Sequence, residues 1–106
     1  MSSSFSYKLT TENEQFTFDF SPVIASGETI SSSNCVVEVK EGTDPTPSNI
    51  LPGGSGSGVA SGSKIAIRVS NGLDGVIYRL EMTATTSLSN VYTIVGDLPV
   101  LSPMNV

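Results

Sequence analysis

The chain has 106 residues, 38% of them hydrophobic and 14% charged, with ten acidic and five basic side chains, no histidine and one cysteine. That length suits one domain and is too short for two with proper cores. A net charge of -5 with few, scattered Lys and Arg argues against a phosphate-binding face for nucleic acid and against an anionic membrane surface, and no apolar run reaches the roughly 18 residues of a transmembrane helix.

Ten Gly, six Pro and a heavy Ser/Thr load suit strands and turns better than helices, which would need more Glu, Lys, Arg and Ala. The opening "MSSSFSYKLT" has neither a basic n-region nor an apolar h-region, so export is not expected. It places Phe5, Tyr7 and Leu9 at period two, the pattern of a short strand or of an arm that pairs with a neighbour. "QFTFDFS" then puts Phe16, Phe18 and Phe20 on one face and Thr17 and Asp19 on the other, a half-buried strand.

Pro22 denies a ladder donor, and "SPVIASGE" reads as a corner with Gly27 able to take a positive φ. "TISSSNCVVEVKE" resumes strand character. Ile30 lies at an odd separation from Cys35, Val37 and Val39, so one shared face demands a bulge between Ile30 and Cys35, and a bulge or a short break is expected near Ser32 to Asn34. Cys35 has no partner for a disulfide and reads as a small buried hydrophobe.

Residues 41–63 hold three of the six prolines and six of the ten glycines. They read as one long Gly/Pro/Ser-rich, flexible loop, whose length suggests a binding loop or a segment ordered on assembly. Within it "NIL" at 49–51 is a brief strand or an anchor. "KIAIRVS" is the next strand, with Ile65, Ile67 and Val69 on one face. The turn "NGLDG", with Gly72 and Gly75, leads into "VIYRLEMTATT", where Val76, Tyr78, Leu80, Met82 and Ala84 face in and Ile77, Arg79, Glu81, Thr83 and Thr85 face out. "NVYTIVGDLPVLSP" gives the last strand, with Pro99 and Pro103 expected to end regular structure.

These about five to seven strands, with turns every ten residues or so, predict an all-β chain folded as an immunoglobulin-like antiparallel β-sandwich. Residues 1–13 form an arm, 14–100 the sandwich and 101–106 a tail. Tyr78 stands near the start of the penultimate strand, where such sandwiches hold a tyrosine whose hydroxyl bonds to upstream backbone; the other reading is that it merely fills the core.

Chemistry is hard to find. Without histidine there are no Ser-His or Cys-His dyads and no imidazole metal sites. Asp44, Asp74 and Asp97 each lie near Gly or Pro, where short carboxylates cap turns. Glu41 and Asp44 match no ordered calcium loop. "PGGSGSG" lacks the Lys and following Ser/Thr of a phosphate loop. No catalytic residue, cofactor or metal is expected.

Four stretches, "FDFSPVIASGETISSS", "VASGSKIAIRV", "NGLDGVIYRLEMTATTS" and "DLPV", in this order and spacing, resemble a family of small virion proteins of tailed bacteriophages, the fibre-tail adaptor or neck-associated structural proteins. They span most of residues 16–100. The family often has Trp where Phe20 stands, Gly-Asp-Thr-Ile where Gly27 precedes Glu28, and Gly-Gly where Asn71-Gly72 stands. The resemblance implies a non-enzymatic protein made in the host cytoplasm and located in the virion, where it joins neck, tail or fibre parts in several copies. Phe5, Tyr7 and Leu9 of the arm, with Ile50 and Leu51 of the loop, are expected to contact neighbours, and Asp19, Gly27, Gly72, Gly75 and Tyr78 to serve the fold. A head-decoration protein and a glycan-binding module are the rival readings.

Overall fold

The computed structural model describes residues 2–51 and 58–106, residues 2–4 by backbone only. Eight strands lie among them: β1 (Ser2–Ser4), β2 (Lys8–Leu9), β3 (Glu14–Asp19), β4 (Ile30–Glu41), β5 (Val59–Ser61), β6 (Lys64–Val69), β7 (Val76–Thr86) and β8 (Val91–Leu101). Two 3-10 turns, Pro47–Ile50 and Pro103–Asn105, complete the regular structure, and no α-helix occurs among the described residues. The all-β expectation holds. Alternation built from β-branched and aromatic residues leaves no 3.6-residue stripe for a helix to bury.

The strands form two sheets. In the larger, the order is β1-β8-β7-β4, and β2 follows β1 along the same edge of β8. The β4–β7 and β7–β8 pairs are antiparallel, whereas β1 and β2 run parallel to β8. The smaller sheet is antiparallel, ordered β3-β6-β5. The two pack as a sandwich measuring 46 × 23 × 20 Å.

Period-two patterning decides what lies between the sheets. Val76, Tyr78, Leu80, Met82 and Ala84 of β7 are all buried, as are Phe16 and Phe18 of β3 and Ile65, Ile67 and Val69 of β6. Each large aliphatic or aromatic side chain so removed from water contributes about 1.5–3 kcal/mol before the cost of ordering it.

The bulge in β4 is real. The register slips between Ile30 and Ser32, leaving Ser31 without a cross-strand partner, one residue before the expected window. A second slip between Val39 and Glu41 turns Lys40 toward β8, where its ammonium meets Asp97.

Three expectations are corrected. Pro99 does not end the last strand, which continues to Leu101. The carbonyls of Asp97 and Leu101 accept N–H groups from Phe5 and Thr10, so odd-numbered residues of β8 face β1 and β2. The donor that Pro99 lacks therefore falls opposite residues 5–7, where pairing between β1 and β2 is interrupted and nothing needs it.

The segment 41–63 is not one flexible loop. Its described part contains the end of β4, the 3-10 turn, and β5, while its "PGGSGS" lies outside the described residues. Ile50 and Leu51, expected to reach neighbours, are 0% and 3% exposed and belong to the core. A 3-10 turn started by Pro47 swings them inward, and the Ile50 carbonyl accepts the N–H of Ser70 at 2.9 Å.

Candidate functional site

The arm is the first candidate surface. Phe5 donates its N–H to the Asp97 carbonyl at 3.0 Å. Its ring packs on Phe16, centroids 4.9 Å apart, and edge-on to Phe18 at 5.3 Å. Gly96 makes this seat, because a Cβ there would stand 2.4 Å from Cε2 of Phe5. Phe5 thus ties the edge of the large sheet to β3 of the small one. Tyr7 is exposed and Leu9 half-buried.

Between them, Lys8 is 0% exposed. Its ammonium donates to the carbonyls of Leu9 at 2.8 Å and Asn71 at 2.6 Å. Burial lowers its pKa, and the charges of Glu12 and Glu14 oppose that shift. Sequence reading missed Lys8, since an isolated lysine beside "FSY" signals a solvated face; only the proximity of the Asn71 carbonyl makes its burial tolerable.

Asn71 and Gly72, at φ 60° and 101°, form a left-handed pair that brings the chain around to β7. Gly72 presses close to Val100 and the Tyr78 ring. Gly27 and Gly75 also have positive φ. Asp19 accepts the N–H of Ser21 at 2.9 Å and fixes the corner after β3.

Tyr78 is fully buried as a ring while its hydroxyl accepts the Leu73 N–H at 2.9 Å and donates to Asp44 Oδ2 at 2.6 Å. Burial first, and the Asp44 hydrogen bond second, push the phenol up to about 12. The same bond, with the Thr46 N–H, holds the Asp44 carboxyl below its usual range. One hydroxyl thereby joins the 41–51 segment to the turn before β7.

At the opposite end, Glu28 accepts from the Ala25 N–H, from Asn90 Nδ2 at 2.9 Å and from the Thr86 hydroxyl. These donors, Thr86 foremost, hold it below the usual carboxylate range. The corner after β3 is so pinned to the β7–β8 hairpin. Leu88 and Val91 of that hairpin stand exposed, while Leu73 and Tyr7 are exposed at the other end of the sandwich. A leucine within "TTSLSN" carries no signal of exposure except its place among turn formers.

The outer face of the large sheet carries Lys40 of β4 and Arg79 of β7, which meet the two carboxylate oxygens of Asp97 on β8 at 2.6 and 3.1 Å. All three are partly solvated, so the pairs contribute little to stability. Among the described residues no group of three or more His, Cys, Asp or Glu could hold a metal ion. Cys35 is buried, and burial followed by the charge of Glu81 pushes its thiol up to about 12, far from a reactive thiolate. No helix among the described residues is long and apolar enough to cross a membrane.

The family model of the podophage GP4 fiber-tail adaptor protein gp77 matches residues 8–95. The chain belongs to this fiber-tail adaptor family. The matched span includes Lys8, Glu28, Asp44 and Tyr78 and stops short of both Phe5 and Gly96. No curated protein matches the chain significantly. A solved 2,6-sialyltransferase of Photobacterium sp. JT-ISH-224, in complex with CMP and lactose, resembles it over 97% of this chain and 17% of that one, at 12% identity and a TM-score of 0.45. A likeness that loose carries no argument about fold or function.

Proposed function

We propose that this adaptor-family protein is a non-enzymatic virion component that joins neck, tail or fibre parts by protein–protein contact, in several copies of a symmetric particle. Membership of the family over residues 8–95 is the observation that carries the reading. Exposed apolar side chains at both ends of the sandwich support it, Leu88 and Val91 at one and Tyr7 and Leu73 at the other, although Val36 of β4, Val59 of β5 and Met104 and Val106 of the C-terminal segment are exposed as well. A joint needs two separated surfaces, and interfaces of modest size gain from repetition.

The reading treats the chain as one sandwich of immunoglobulin type, with an arm of residues 1–13 and a tail of 101–106. The order β8-β7-β4 against β3-β6-β5, with the first strands parallel to the last, supports that type, as does the Tyr78 hydroxyl held to the backbone five residues upstream. A net charge of -5 favours protein partners over nucleic acid or an anionic membrane.

Gold-labelled antibody on intact phage particles tests the assignment. Label confined to the neck or tail is expected. Label spread over the head would replace the adaptor reading with decoration, and particles that never carry label, yet contain the other tail proteins, would overturn it.

A further inference from the structure

We propose that the groove along β8 that receives residues 2–9 is a strand-exchange site, filled in trans by the same residues of a second copy of this chain. The groove is built for one extended segment. Its floor is the edge of β8, which pairs in parallel with Ser2–Ser4 at Val95–Asp97 and with Lys8–Leu9 at Val100–Leu101. Its first pocket is the notch over Gly96, walled by Phe16 and Phe18. Its second is the Asn71 carbonyl, which takes the Lys8 ammonium at 2.6 Å. An aromatic and a lysine three residues apart on a segment parallel to β8 meet both pockets, and residues 2–9 carry that pair.

The occupant follows from this fit. A second copy brings the same aromatic and lysine in the same register, so every contact made within one chain can be remade between two. The hinge is short and polar. Thr10 to Asn13 turn the chain from β2 into β3, held by the Glu12 N–H to the Leu9 carbonyl at 3.0 Å and the Leu9 N–H to Glu12 Oε1 at 2.8 Å. Opening it breaks these two hydrogen bonds and the one that Arg68 donates to Asn13 Oδ1 at 3.2 Å, while the Thr10 N–H to the Leu101 carbonyl is given up and remade with the arm, and four extended residues reach about 13–14 Å. The arm is also what guards this edge. With it removed, β8 presents unpaired backbone beside exposed Phe16 and Phe18, the kind of edge that draws in another strand. The exchange does not rest on the adaptor reading and is tested on the purified protein.

Two measurements on the full chain decide it. Deleting Thr11 and Glu12 shortens the hinge so that the arm cannot turn back, and sedimentation should then show a dimer with unchanged far-ultraviolet dichroism. A folded monomer would overturn the proposal. Because that variant can fail to fold, a labelled peptide of residues 2–10 is also titrated onto the full-length Phe5→Ala protein, whose own notch is empty. Anisotropy should show saturable binding, weakened at least tenfold when the peptide itself carries Phe5→Ala or when the protein also carries Gly96→Leu. No binding to the folded Phe5→Ala protein, or binding indifferent to both changes, would sink the exchange site.

Discussion

Replacing Tyr78 with Phe tests the bond that closes one end of the sandwich. The ring stays buried, so packing is kept, and the loss is confined to the hydroxyl. The Leu73 N–H loses its acceptor at 2.9 Å and Asp44 loses a donor at 2.6 Å. A neutral hydrogen bond contributes about 1 kcal/mol and one to a charged group about 1.5–3. Asp44 is partly solvated and keeps the Thr46 N–H at 2.9 Å, so water recovers part of the second term and the sum is about 2 kcal/mol.

Unfolding entropy of about 2.1 cal/mol/K per residue gives about 0.22 kcal/mol/K for this chain, and hence a fall in Tm of about 9 °C. Urea unfolding and calorimetry at pH 7 measure both. A cycle with Asp44→Asn should give a coupling of about 1 kcal/mol. The folded Asp44 pKa is depressed, so its contribution is complete above the ordinary carboxylate pKa and fades as pH falls through the folded value. The Tyr78→Phe deficit should accordingly narrow below about pH 4. A loss under about 0.5 kcal/mol at pH 7, or a deficit independent of pH, would mean that the hydroxyl does not hold the 41–51 segment to the turn before β7.

Gly96→Ala forces a Cβ to 2.4 Å from the Phe5 ring and should cost about 1–3 kcal/mol. Proteolysis should then reach residues 1–10 sooner, and adding Gly96→Ala to Phe5→Ala should cost little more, since no ring remains to clash. Glu28→Gln should lower stability at neutral pH and flatten the acid limb of the stability curve. The depressed Glu28 pKa makes the wild-type contribution present above about 4.5 and lost below, which denaturant melts from pH 7 to pH 3 would follow. Cys35, buried with its pKa near 12, should react with a thiol reagent at pH 8 about a hundredfold slower in the folded protein than in urea; equal rates would mean the strand opens readily.

Much of the fold was legible because it rests on parity. The inward run of β7 from Val76 to Ala84, the Phe16–Phe18 face and the need for a bulge after Ile30 all follow from side chains alternating across a pleat. The run 41–63 departs from the expected flexible loop for a reason just as physical. Gly and Pro report a low propensity for regular structure and say nothing of anchoring, and the polar neighbours of Ile50 and Leu51 carry no sign of their burial. Their burial depends on the Ser70 backbone, twenty positions on.

The contact surfaces were less legible still. Whether Phe5 is an arm residue or a core residue turns on Gly96, ninety-one positions away, and a lone glycine in a strand carries no such message. The buried ammonium of Lys8 is likewise fixed by the carbonyl of Asn71. The missing histidine excludes imidazole chemistry and the Gly, Pro and Ser/Thr load favours strands and turns over helices, because those quantities depend on residue identity alone, while the period-two order of the apolar residues makes the strands. The tertiary structure alone decided which edge the arm covers, where the loop residues go and which apolar side chains stay in water. Each of those depends on which distant backbone arrives within hydrogen-bonding or van der Waals reach.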